Sequence, residues 1–388
     1  MRTSLIRVSL LIAMSLAVQS LVALPKFASR TGAKCQSCHV NPTGKGMRNE
    51  FGRTFGQDDI VLPTFKEQTD IEEYSTNLTP NLSFGGDFRT LFFYNQRADV
   101  PADNNVSSFF QMQGDLYFDI RLNKKFSIYL DKGLYSGFEV FGIAKVLPLN
   151  GYIKAGKFMP AYGTRVDDHN YFIRGGPFGG GPFAGLFPGG FPYPTGLLFG
   201  ERSEDTGIEL GVSPGIFTAN VGVFNGTPGS GLSGVSGTKT KAIALRGDAT
   251  FKFSGLNFNI GGSLYNAPSV DRTSTFYGAF GSVTAFERLT LNSEVDYVQL
   301  LYAGRTKVGV IVWNELNYMV RQGIDLKLGY EYYDPDNVVA NGSFSRITVG
   351  AELFLLSGVE VRPLYKINLE THSEVSNNEF QLLLHFYF

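Results

Sequence analysis

Phe110-Gln111-Met112-Gln113-Gly114-Asp115-Leu116-Tyr117-Phe118-Asp119-Ile120-Arg121-Leu122 alternates between two kinds of side chain with a period of two. Phe110, Met112, Leu116, Phe118, Ile120 and Leu122 fall on one face, and Gln111, Gln113, Asp115, Asp119 and Arg121 on the other. That period belongs to a β-strand, where successive Cβ atoms point to opposite sides of the pleat. The pattern returns at Ile243, Leu245, Ala249, Phe251 and Phe253 against Arg246, Asp248, Thr250 and Lys252. It returns again at Leu326, Leu328 and Tyr330 against Asp325, Lys327 and Glu331, and at Val359, Val361, Tyr365 and Ile367 against Glu360, Arg362, Lys366 and Asn368.

Alternation suits a soluble sandwich as well as a membrane barrel. Three features favour the barrel. Many alternating runs reach about ten residues, the length of a tilted membrane-spanning strand. Short turns such as Ser254-Gly255, Gln322-Gly323 and Ser357-Gly358 interleave with longer polar loops such as Asn225–Lys239, Ala267–Ser274 and Pro335–Asn341, as in outer-membrane barrels. The sequence closes on Glu379–Phe388, with Phe380, Leu382, Leu384, Phe386 and Phe388 on one side and Gln381, His385 and Tyr387 on the other; an aromatic last residue on such a strand looks like an outer-membrane assembly signal. The expectation is an all-β, transmembrane antiparallel β-barrel of about 16 strands over residues 80–388. Closure would remove the edges that an open sheet leaves exposed.

One connection is out of scale: Pro160–Asp205, between the fifth and sixth strands, with ten glycines and five phenylalanines from Gly175 to Gly200. So many phenylalanines have little reason to stay in water, and the loop is expected to pack into the lumen. The composition agrees with the fold, because 34 Phe, 19 Tyr and 46 Gly favour strands and tight turns. A net charge of -1 excludes the basic footprint of a nucleic-acid binder.

The barrel pattern does not account for the first 79 residues. Residues 1–23 read as an export signal, with Arg2 and Arg7 ahead of the apolar run Leu10–Val18. Residues 24–79 hold the sequence's two cysteines, in Cys35-Gln36-Ser37-Cys38-His39. That spacing is the c-type haem attachment pattern, in which two thiols bond the haem vinyl groups and the adjacent imidazole is the proximal iron ligand. A redox disulfide or half a zinc site are the alternatives, but no βαβ pattern follows and no further cysteine exists. A short helix is expected over Met47–Phe55. A segment of about 55 residues buries little core alone, so a haem or a surrounding wall must supply apolar contact.

Pro25, Phe27, Ala28, Thr31, Gly32, Cys35, Cys38 and His39, then Phe51-Gly52-Arg53, ahead of a porin-like region, resemble the fused outer-membrane monohaem cytochrome-porins of iron-oxidising bacteria. The sequence departs from that pattern over Asn41–Asn49, where a more apolar stretch is expected. Gly156–Pro160 through Tyr162, Gly163, Arg165, Asp167, Asp168, His169 and Arg174 is similar to a segment of phosphate-selective-type porins.

The resemblance implies one c-type haem in a barrel embedded in outer-membrane lipid. It also implies electron transfer between a periplasmic cytochrome and an extracellular redox partner such as Fe(II), with any oxidase activity belonging to the haem. Cys35 and Cys38 would tether the haem and His39 would ligate its iron. The distal ligand would be Met47, or else His169 if the long loop folds inward; Met47 as a packing residue and Asp167, Asp168 and His169 as a separate metal site are the competing assignments. The functional alternative is a porin for small solutes, with this segment as plug, sensor or docking module.

Overall fold

The computed structural model describes residues 25–63, 74–95, 106–133, 137–166, 171–174, 197, 203–228, 239–268, 272–302, 304–371 and 377–388. The export signal, His169 and the glycine-rich stretch from Gly175 lie outside the described residues, Leu197 apart.

A three-residue strand, β1 (Asn77–Thr79), leads into β2 (Leu82–Asn95), close to the boundary expected at residue 80. There follow β3 (Val106–Arg121), β4 (Phe126–Gly133), β5 (Phe138–Leu147), β6 (Gly151–Phe158), β7 (Asp205–Val212), β8 (Phe217–Phe224), β9 (Ala242–Phe253), β10 (Leu256–Pro268), β11 (Arg272–Ala285), β12 (Leu289–Tyr302), β13 (Arg305–Arg321), β14 (Ile324–Asp334), β15 (Phe344–Leu356), β16 (Val359–Glu370) and β17 (Glu379–Tyr387). Each strand pairs antiparallel with the next, and β17 pairs with β2, from Glu379 opposite Asn95 to Tyr387 opposite Asp87. The sheet therefore closes as a barrel of 16 strands, β2 to β17, with β1 as a short addition to β2.

The barrel is inverted relative to a soluble core. On β14, Leu326, Leu328 and Tyr330 face outward while Asp325, Lys327 and Glu331 are buried in the lumen. On β17, Leu384 and Phe386 face outward while Gln381, His385 and Tyr387 face in. Apolar side chains meet lipid, and the polar ones meet one another and whatever fills the barrel. Exposed Phe126, Phe217, Phe253, Phe286 and Tyr318 sit by the short turns, where an aromatic girdle marks a membrane interface.

The short connections between β3 and β4, and at every second strand onward to β15 and β16, hold two to four residues. Ser254 and Gly255, between β9 and β10, have φ of 50° and 78°, the left-handed pair of a tight hairpin turn. The loop expected at Ala267–Ser274 is mostly strand, because the β10–β11 ladder runs on to Pro268 opposite Thr273.

The long connection between β6 and β7 enters the lumen. Tyr162 Oη donates to Asp296 of β12 at 2.8 Å, and Thr164 N to Glu294 of the same strand at 2.5 Å. Tyr171 Oη donates to Glu315 of β13 at 2.5 Å, and Phe172 N to Glu331 of β14 at 2.8 Å. Arg174 pairs with Glu294 at 3.2 Å. Buried carboxylates on the far wall thus draw the loop across the pore.

Candidate functional site

The amino-terminal segment also lies inside the barrel. Helix α1 (Pro25–Thr31) begins on a proline and ends at Gly32, whose φ of 72° lets Ala33 N bond back to Ala28 O at 2.9 Å; that closure needs a left-handed residue after the helix. Arg30 grips Asp325 of β14 through both guanidinium nitrogens, at 3.1 and 2.5 Å. Lys26 reaches the same carboxylate at 3.2 Å and also pairs with Glu352 of β15. Ser29 bonds Thr284 of β11, and Arg30 O accepts from Asn257 of β10 at 2.6 Å. Further on, Lys34 bonds Phe217 O of β8, Asn41 bonds Lys154 of β6, Met47 N donates to Tyr129 Oη of β4, and Arg48 lies 4.2 Å over the Tyr387 ring of β17. Contacts to β4, β6, β8, β10, β11, β14, β15 and β17 surround the segment, so it is a plug within the barrel.

The plug sits toward the short-turn end, which is periplasmic in outer-membrane barrels. Leu62 N donates to Phe354 O at 3.0 Å, Gln322 donates to Asp58 O, and Lys34 reaches Gly215 O in the turn after β7.

Within the plug, Cys35–Ser37 is one 3-10 turn, with the amides of Cys38 and His39 both on Cys35 O at 3.2 and 3.1 Å. Asn49 fixes this turn to helix α2 (Glu50–Asp58). Its Nδ2 donates to Ser37 O at 3.0 Å while its Oδ1 accepts from Gly52 N at 2.9 Å, an asparagine N-cap. A Cβ on Gly52 would stand 2.3 Å from Cys38 O, so glycine lets α2 lie against the turn. The helix expected over Met47–Phe55 accordingly starts three residues later, because Met47 and Arg48 are held in a hairpin against Val40 and His39.

That hairpin separates two predicted ligands. His39 pairs with Arg48, and Val40 N bonds Met47 O at 3.1 Å. Cross-strand partners share a face and neighbours do not, so His39 and Arg48 face one side while Val40 and Met47 face the other. Cys35, His39 and Arg48 line a cavity of about 190 Å³, whereas Met47 is buried among Tyr117 and Tyr129. The structure does not bring Met47 to the side of His39; its packing assignment is the one the geometry meets. Cys38 is fully buried behind the cavity, among Phe27, Ala33, Ile60, Phe354 and Tyr387.

Burial pushes the Cys38 thiol up to about 12, with Cys35 adding to the shift and Arg48 opposing it. The Cys35 thiol is raised too, chiefly by burial. His385 bonds Glu360 at 2.8 Å and lies 3.1 Å from Asp87, a structural role on the lumen wall. Among the described residues no group of three or more His, Cys, Asp or Glu side chains is placed to hold a metal ion.

Sequence reasoning passed over the docking role of Lys26 and Arg30, and over Asn49. Asparagine ahead of a helical run was a legible cap signal. No sequence signal pairs Arg30 with Asp325, 295 residues away.

No protein-family model matches the chain, and no curated protein does. Solved structures do. OmpT of Vibrio cholerae is 15% identical with a TM-score of 0.55, over 79% of this chain and 99% of that one. The chain shares the closed, 16-stranded antiparallel barrel fold of these outer-membrane proteins. The barrel is likewise similar to OprB of Pseudomonas putida, at 13% identity and a TM-score of 0.56 over 79% and 94% of the two chains, and to an anion-selective porin from Comamonas acidovorans, at 12% and 0.51 over 79% and 99%. At these identities the likeness concerns the porin-like fold.

Proposed function

We propose that this protein is a porin-like barrel closed by its own amino-terminal segment, and that the segment carries one covalently attached c-type haem. The observation that carries this reading is the position of Cys35–His39: inside the lumen, on a plug bonded to strands all around the barrel. The residues fit the group. Cys35 and His39 line one cavity, Cys38 lies directly behind it, and the walls combine apolar Phe27, Phe55 and Phe354 with cationic side chains. Cys35 and Cys38 would hold the haem and His39 would supply the proximal nitrogen. A haem bound there supplies one-electron chemistry.

The chain's own residues do the remaining work. Asn49 and Gly52 fix the attachment turn, Lys26 and Arg30 hold the plug to β14 and β15, and the inward loop narrows the pore above it. With plug and loop both in place, the barrel favours passage of electrons over passage of solutes. A periplasmic cytochrome on one side and an extracellular donor such as Fe(II) on the other are the partners that fit this reading.

A second reading has its own support: a porin for small solutes, with the segment as plug, sensor or docking module. The similar solved structures include a channel and a porin, and the lumen wall is charged throughout. Two measurements on the purified protein in planar bilayers and in detergent separate them. The conduit reading expects covalent haem, low conductance, reduction of the haem by Fe(II), and a rise in conductance on deleting residues 25–62. A haem-free chain that conducts like an open porin leaves the solute porin standing.

A further inference from the structure

The cavity beside Cys35 is lined by seven lysine or arginine side chains against three carboxylate side chains. Those carboxylates are engaged: Asp87 with Arg89 and His385, Glu360 with Arg362 and His385, and Asp248 with Arg246 and Asn259. Two arginines on the cavity make no salt bridge among the described residues. Arg48 lies against the Tyr387 ring on the His39 face of the hairpin. Among the described residues Arg165, on the inward loop, donates to Met159 Sδ, Met159 O and Pro160 O, at 2.5, 3.3 and 2.9 Å.

Both side chains are partly buried at the cavity, where a bound anion would add charge-assisted hydrogen bonds to their guanidinium groups. Burial and the neighbouring Arg174 push the Arg165 guanidinium down to about 10, against the opposing pull of Glu139 and Glu209. The position of Arg165 is also telling. A Cβ placed on Gly44 would stand 3.5 Å from Cys35 Sγ and 3.7 Å from Arg165 Cγ, so the thiol and the arginine flank one gap.

We propose that Arg165 of the inward loop and Arg48 of the plug hairpin are a carboxylate-binding pair, and that they take the propionates of the haem tethered to Cys35 and Cys38. The assignment rests on the haem reading above. Planar guanidinium forks match carboxylates in a way a lysine does not. The pair would also join two parts of the chain through the cofactor, since Arg48 belongs to the plug and Arg165 to the pore loop.

The test is the midpoint potential of the haem-loaded protein against pH, for wild type, Arg165→Gln, Arg165→Lys and Arg48→Gln, with heat-modifiable migration in gels reporting barrel folding. Removing a positive charge beside the iron favours the ferric state. Each glutamine variant should therefore shift the potential negative, and a propionate freed of its partner should add pH dependence near neutrality. Arg165→Lys should recover most of the potential. A purely structural arginine would move neither quantity. Potentials unchanged in folded, haem-loaded glutamine variants overturn the arginine assignment alone, whereas wild type without covalent haem overturns the haem reading with it. Saturable effects of added succinate on wild-type conductance, lost in Arg165→Gln while the potential stays fixed, would assign the pair to a diffusible carboxylate and overturn the propionate assignment.

Discussion

Asp325→Ala tests what holds the plug in the barrel. The Asp325 carboxylate receives both guanidinium nitrogens of Arg30 at 3.1 and 2.5 Å and stands 3.2 Å from Lys26, with all three side chains under 10% exposed. Removing one partner of a buried ion pair costs about 3–5 kcal/mol, because the other charge stays behind unpaired. Lys26 keeps Glu352, which places the expected cost toward about 3 kcal/mol. The ladders of β14 with β13 and β15 run through the backbone and are untouched, so the cost falls on docking of the plug. At about 1.4 kcal/mol per factor of ten, the docked-to-undocked ratio falls roughly a hundredfold. Single-channel recording should show long closed periods for wild type, frequent openings for Asp325→Ala, and a permanently open channel for the 25–62 deletion. Limited proteolysis of the plug should accelerate in the same order. Asp325→Ala channels as closed and as protease-resistant as wild type would refute the argument that this charge cluster holds the plug.

Gly52→Ala should destabilise the Cys35–Ser37 turn by about 1–3 kcal/mol through overpacking, since its Cβ would strike the Cys38 carbonyl; on the haem reading, the yield of covalent haem against Gly56→Ala, whose Cβ meets only a Tyr387 ring carbon at 3.8 Å, reports it. On the haem reading, Met47→Leu should leave the visible and near-infrared spectrum unchanged, because Met47 faces away from the His39 side of the hairpin; a spectral change of ligation would restore Met47 as distal ligand. In protein produced without haem attachment, Cys38 should resist alkylation at pH 8 and gain reactivity only toward about pH 12. Burial disfavours the thiolate, so the raised value keeps the unreactive thiol up to that pH. Rapid labelling at pH 8 would show that the plug does not dock in the haem-free chain.

The barrel was legible in the sequence because a membrane strand writes its two environments into alternate residues. Leu326, Leu328 and Tyr330 against Asp325, Lys327 and Glu331 lie as the period of two requires, and a closed ring of antiparallel strands follows from many such runs joined by short turns. The Cys35–His39 spacing is local and carries its haem-attachment expectation in the sequence alone. Tertiary structure alone decided where that motif goes and what surrounds it. Arg30 meets Asp325, Asn41 meets Lys154, Arg165 stands beside Cys35, and His39 turns away from Met47, through contacts of high sequence separation or a hairpin register that no periodicity encodes. A closed barrel presents its polar face to a single interior, so any charged residue on any strand is a candidate partner for the plug. Which ones pair is settled only when the ring closes and the amino-terminal segment occupies it.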